Sequence, residues 1–343
     1  MDTIPPSQSQ RRKPWIETPL IESAALSKAA GCRIFLKLDC LQPSGSFKSS
    51  SSGGNAGLAA VVAARDLGCA CTVVVPHSTK QHTIDRLRAA GASDVPQHGA
   101  SWFDADTFLR ETFIDVPKQQ ETDDVKNVYV HPFDNPIIWE GHSTIISELA
   151  NQLPAREDGD DTQFPADVLI CSVGGGGLFN GIIHGLSEYN KAHPKEGPRE
   201  KKLDVLAVET KGAESLAYSL QCGELKSLDA ITSIATTLGA LCVARKAFQN
   251  ASEPPEGVRV TSVVVPDAEA ARGVVTFADE MRILVEPACG VSIDVALGAR
   301  LREAVADRNL GPESRVVIVV CGGSAVTPEV VAEYRTKLAQ GWV

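Results

Sequence analysis

The chain has 343 residues, 43% hydrophobic and 22% charged, enough apolar sequence for a substantial core and too much for disorder over most of its length. Its 33 Lys plus Arg against 43 Asp plus Glu give a net charge of -10, which offers no broad basic field to nucleic acid or an anionic membrane surface. No stretch reads as a signal peptide or a bilayer span, and the nine cysteines are scattered without zinc-ligand spacing, so a cytoplasmic, reducing setting is expected.

In chain order, RIFLKLD (33–39) predicts a strand, NAGLAAVVAARDLG (55–68) a helix, CTVVVP (71–76) a second strand, and the polar stretch through Leu87 another helix. ANQLPAREDGDDTQFPAD (150–167) and YNKAHPKEGPREKK (189–202) read as surface loops, being rich in Pro, Gly and charge. ADVLICSVGGGG (166–177), LDVLAVET (203–210) and SRVVIVVCGGSA (314–325) are buried-looking strands that end in glycine or a polar residue. Alternation of this kind predicts an α/β fold with parallel strands and helical crossovers, and ligands then sit at the strands' carboxyl ends. Length alone points to two domains, or to one large domain with a smaller one attached.

SVGGGGLFNGI (172–182) is the strongest anion signal. Four glycines after a core strand free backbone N–H groups to converge on a phosphate, and the following helix adds its positive N-terminal end. No Lys-Ser/Thr follows, and the spaced fingerprint of dinucleotide sites is missing, so a single phosphate group fits best. Lys48, in LQPSGSFKSSSSGGNAG (41–57), taken alone reads as an exposed lysine. Beside a phosphate nest it reads instead as an amine able to condense with an aldehyde cofactor.

The ordered motifs KLDCLQPSGSFK, SSGGNAG, HPFDNPIIWEGH, SVGGGGL, EPACG and VVCGGS resemble the pyridoxal-phosphate enzymes of the tryptophan synthase β-subunit fold. Within them the chain is most similar to the eukaryotic L-serine dehydratase (serine ammonia-lyase) group, over roughly residues 15–335. The resemblance implies two open parallel sheets flanked by helices. Residues 1–37 and 142–343 would form a large cofactor-binding domain, and 38–141 a small substrate-side domain. It implies Lys48 as the cofactor-bearing, catalytic lysine, with Phe47 and Ala235 on the two ring faces and Asn55 at the phenolic oxygen. Gly174, Gly175, Gly176, Gly177 and Leu178 would hold the phosphate. Cys321 would face the pyridine nitrogen with Ser324 nearby, and Ser52, Gly53 and Gly54 would receive the substrate carboxylate. Glu209, Ala213 and Ser215 match a region that binds a monovalent cation such as K+ in relatives.

The activity so implied is β-elimination of L-serine to pyruvate and ammonia, with L-threonine as a secondary substrate, in a homodimer without nucleic-acid or membrane partners. A thiol at the pyridine nitrogen leaves it largely neutral, which suits elimination better than transamination. Cys289 reads as a core residue, while His131, His142 and His184 lack the companions that a metal or triad role needs.

The chain departs from the pattern at one place. In the family a helix and a strand separate the lysine from the S-x-G-N loop. Here only SSSSGG (49–54) lies between Lys48 and Asn55, and a parallel crossover needs about a dozen residues or more. The small domain is therefore expected to lack a β-α unit. Two other readings follow: a catalytically impaired or regulatory protein of the same fold, and a β-replacement enzyme of the cysteine synthase type, whose relatives carry a different loop at this position.

Overall fold

A computed structural model describes residues 15–47, 54–115, 127–155, 163–195, 201–323 and 325–343. The strands are β1 (Leu20–Glu22), β2 (Arg33–Lys37), β3 (Val168–Ser172), β4 (Leu203–Thr210), β5 (Val258–Val265) and β6 (Arg315–Val319). The helices begin with α1 (Ala24–Ala30), α2 (Gly54–Leu67), α3 (Gln81–Ala90), α4 (Trp102–Leu109), α5 (Pro136–Gln152) and α6 (Gly177–Ala192). They continue with α7 (Ser215–Cys222), α8 (Arg245–Ser252), α9 (Asp267–Met281), α10 (Pro287–Leu297), α11 (Ala299–Ala304) and α12 (Pro328–Ala339). The chain divides into two compact units. One comprises 1–16 and 42–132, the other 17–41 and 133–343.

The larger unit is built on a six-stranded sheet of order β1-β2-β6-β3-β4-β5, in which β1 runs antiparallel to β2 and every other pair is parallel. Every residue of β3, β4 and β6 is buried. Such strands read as uninterrupted apolar runs because helices cover both faces of a parallel sheet. Asp204, a charge inside β4, is tolerated because the guanidinium groups of Arg259 and Arg308 reach its two carboxylate oxygens. Helix starts follow local chemistry. Asn135 accepts from the N–H of Ile137 ahead of Pro136 in α5, and Thr327 accepts from Val330 ahead of Pro328 in α12.

The two stretches expected as loops are shorter than predicted, since α5 runs on to Gln152 and α6 to Ala192. Their apolar stripes pack against each other, which outweighs the polar composition at the helix ends. The parallel strands place all their carboxyl ends at one edge. From β3 the chain crosses through α6 to β4 on one side, while β6 lies on the other. The crevice outside β3 and β6 is thus a topological switch point, where α/β sheets bind ligands.

In the smaller unit, Leu58, Val61, Val73, Val75, Ile84, Leu87 and Val95 form a core under α2 and α3. The run CTVVVP does pair in parallel, with α3 as the crossover, but only through the bridges Thr72–Asp94 and Val75–Gln97. The second of the two expected parallel sheets is therefore reduced, among the described residues, to this bridged pair. Residues 71, 73 and 75 spend their backbone groups on the 93–98 segment, and a lone pair of short segments has no second neighbour to regularise it. No helix among the described residues is long and apolar enough to cross a membrane.

Candidate active site at the carboxyl edge of the sheet

The glycine loop leaves β3 through Val173, whose N–H still bonds Val208 O at 2.8 Å, and passes directly into α6. Gly176 caps the helix at φ +90, a conformation that side chains resist. The loop is gripped from outside as well. A Cβ on Gly175 would lie 2.2 Å from the Phe133 ring, one on Gly177 3.0 Å from Phe133 Cα, and one on Gly174 3.0 Å from Leu238 Cα. Phe133 is held in turn, since its carbonyl accepts from Trp139 Nε1 at 2.7 Å. The glycines are thus required by packing, and α6, 16 residues long, aims its N-terminal donors past them. Leu178 is buried in the first turn.

Gly175→Asp should therefore collapse affinity for a phosphorylated cofactor, because its side chain meets the Phe133 ring and its charge opposes the anion. A loss of roughly 100-fold or more is expected in a fluorescence titration with pyridoxal phosphate. An unchanged titration would remove the loop from the site.

Ala235 is buried on the same edge, in a strap that runs over Gly174. Its N–H bonds Ser233 Oγ at 2.9 Å. Ser233 Oγ lies 2.5 Å from Asp267 Oδ1 and 2.8 Å from Thr210 Oγ1, and Ile234 N–H bonds Asp267 Oδ2 at 3.0 Å. A short 3₁₀ turn, Thr236–Leu238, follows. Cys321 stands at the end of β6, 5% exposed, with its Sγ 3.4 Å from Ser172 Oγ at the end of β3. Thiol and hydroxyl thus meet across the switch point. Cys289 is buried on α10, and burial pushes its thiol well above the usual range, which fits a core residue.

Glu209, Ala213 and Ser215 come together where β4 turns into α7, and all three are fully buried. The two Glu209 oxygens accept from the N–H groups of Leu216 and Ala217, each at 2.8 Å. Desolvation pushes its carboxyl up to about 8. The Ser215 hydroxyl has no hydrogen-bond partner among the described residues. A buried carboxylate beside an orphaned hydroxyl is a donor set that a cation would satisfy.

In the smaller unit, Phe47 is half-buried and follows Ser46, whose buried Oγ has no hydrogen-bond partner among the described residues. Gly54 opens α2, with half-buried Asn55 next to it. Lys48, Ser52, Gly53 and Ser324 lie outside the described residues. The structure adds residues to which the sequence had assigned no role: Phe133, Ser172, Leu238 and Asp267. Phe133 sits in HPFDNP and Ser172 directly before the glycine loop, so adjacency to a motif was the available signal.

A glycine-lined helix N-terminus beside a buried thiol, at the switch point of a parallel sheet, defines an α/β protein with a site suited to a phosphorylated ligand. The chain belongs to the pyridoxal-phosphate dependent enzyme family, whose model matches residues 49–322. It is 39% identical over 332 residues to the "L-serine dehydratase/L-threonine deaminase" of Bos taurus, spanning 91% of this chain and 92% of that protein. It is 35% identical over 336 residues to the "Catabolic L-serine/threonine dehydratase" of Saccharomyces cerevisiae, spanning 91% and 88%. Among solved structures, a fungal L-serine ammonia-lyase from Rhizomucor miehei superposes with a TM-score of 0.79 at 30% identity, covering 95% of this chain and 99% of that one. Maize serine racemase, 21% identical with a TM-score of 0.73 and 96% of each chain covered, shares the fold.

Proposed function

We propose that the chain catalyses the β-elimination of L-serine to pyruvate and ammonia, and more slowly of L-threonine to 2-oxobutanoate. The observation that carries this reading is the thiol of Cys321 at the end of β6, beside Ser172 and the glycine loop, in a family whose similar members bear dehydratase names. The residues present fit pyridoxal phosphate: the glycine loop for its phosphate, Ala235 for a ring face and Cys321 for the ring nitrogen. When bound, pyridoxal phosphate supplies an electron-withdrawing ring that acidifies the Cα proton of the amino acid.

The remaining work falls to the protein. Backbone donors at Gly174–Gly177 and the α6 terminus would hold the phosphate, Phe47 and Ala235 would confine the ring, and Asn55 would donate to the phenolic oxygen. Lys48 would hold the cofactor, and its amine would take the Cα proton. Ser52, Gly53 and Gly54 orient the substrate carboxylate. A thiol does not hold a proton on the ring nitrogen as a carboxylate would, so electron withdrawal is moderate. Loss of the β-hydroxyl as water, with its proton drawn from the cofactor phosphate, would then compete well with reactions that need a long-lived carbanion. The enamine released adds water and gives pyruvate and ammonia. A homodimer in the cytoplasm completes the proposal.

The test is pyruvate release from L-serine by purified protein with added pyridoxal phosphate, run with and without sulfide. Absence of pyruvate overturns the reading, and cysteine formed in its place would assign β-replacement instead.

A monovalent cation at Glu209, Ala213 and Ser215 belongs to the same proposal. Exchanging choline for K+ should raise both the turnover rate and the melting temperature, the latter by a few degrees, since an ion that binds only the folded state stabilises it. Glu209→Gln should abolish both responses. A variant that still responds to K+ would place the ion elsewhere.

A further inference from the structure

Two turns of the candidate site, far apart in sequence, converge on one carboxylate. Glu286 is 2% exposed, directly before α10. Its Oε2 accepts from the Thr237 hydroxyl at 2.8 Å, and its Oε1 accepts from Ala325 N–H at 2.9 Å. Its own N–H donates to Gly322 O at 3.3 Å, while its carbonyl accepts from the N–H groups of Cys289 and Gly290 at 2.8 and 2.9 Å. Gly323, at φ +115, is pressed onto the side chain so closely that a Cβ there would lie 2.2 Å from Glu286 Cδ. Thr237 is two residues from Ala235, and Gly322 directly follows Cys321.

We infer that Glu286 is a positioning residue: it ties the turn that carries Ala235 to the turn that carries Cys321, and so fixes where the cofactor's ring face and ring nitrogen are met. The inference rests on the proposed assignment of those two residues to the cofactor. A carboxylate suits the task because each oxygen accepts independently, and bonds to a charged acceptor are shorter and about twice as strong as neutral ones. Burying it is expensive, and apolar packing would serve as well for stability alone. Its value lies in specifying the relation of two backbones, one in the short 3₁₀ turn at Thr237 and one beyond the end of β6 at Ala325.

The test compares Glu286→Ala, Glu286→Gln, Thr237→Val and Thr237→Ser by cofactor affinity and by hydrogen exchange of the cofactor-free protein. Glu286→Ala should weaken pyridoxal phosphate binding by about tenfold or more and speed exchange in both 233–239 and 321–327. Glu286→Gln keeps an acceptor for Ala325 and a partner for Thr237, and should stay within about threefold of the parent. Thr237→Val should weaken binding and Thr237→Ser restore it. The Glu286→Ala/Thr237→Val double variant should bind no worse than Glu286→Ala alone, because both remove the same link.

Unchanged affinity and exchange in Glu286→Ala, equal behaviour of the two Thr237 variants, or additive losses would each overturn the inference. Should Glu286→Ala not fold, the Thr237 pair decides. Failure of the parent protein to bind pyridoxal phosphate would instead overturn the cofactor reading, and the exchange experiment would still decide whether Glu286 couples the two turns.

Discussion

Lys48→Ala is expected to abolish pyruvate formation, by roughly four orders of magnitude or more, while leaving the protein folded. The size follows from the two roles that one amine fills. In the proposed function it is the covalent tether of the cofactor and the base that takes the Cα proton, and general base catalysis alone contributes about 10²–10⁴. Folding should be spared, because the core of the smaller unit is made by Leu58, Val61, Val73, Val75, Ile84, Leu87 and Val95. The measurement is borohydride reduction with pyridoxal phosphate, followed by peptide mapping. The parent should carry the label on the peptide that contains Lys48, and the variant should not. Label on another lysine in the parent, or a variant that still forms pyruvate at a comparable rate, would reassign the site.

The second large effect concerns the link between Lys48 and α2. In the smaller unit the 71–76 segment is paired, among the described residues, on one side, through Val73 N–H to Asp94 O and Val75 N–H to Pro96 O, each at 3.0 Å. In a strand the backbone groups of the intervening residues, Thr72 and Val74, point to the opposite edge. Among the described residues no backbone hydrogen bond reaches those groups, so that edge is open to a further strand. Inserting a helix and a strand between Lys48 and Ser51 should supply that neighbour. The expected result is a melting temperature several degrees higher, cofactor affinity raised about tenfold, and faster pyruvate release at one fixed cofactor concentration. If the chain with its six-residue link already matches the extended one in rate and stability, the additional unit is dispensable. In that case SSSSGG itself holds Lys48 and Asn55 in working positions.

Much of the larger unit was legible before any coordinates. The runs VLICS, LDVLAVET and RVVIV could be read as strands because a sheet covered on both faces demands predominantly apolar, β-branched sequence, and each became a wholly buried strand. The four glycines after β3 could be read as an anion loop because backbone access requires residues without side chains. Ala235, Cys321 and Glu209 were reached differently, through ordered resemblance to a family, since nothing local distinguishes them from core residues.

By itself, then, the sequence determined where the parallel strands of the larger unit lie, which loop is stripped of side chains, and which lysine stands in the family's motif. These are local properties, written in hydrophobic runs and in glycine content. Only the tertiary structure decided that Phe133 and Leu238 crowd the glycine loop, that Ser172 meets Cys321 across 149 residues of sequence, and that Glu286 joins the turns of Thr237 and Ala325. It also decided that the 71–76 run pairs through bridges alone. The physical reason is the same in each case. A contact between segments distant in sequence depends on how the chain closes in space, and a residue's own type and its immediate neighbours carry no record of which backbone will arrive beside it.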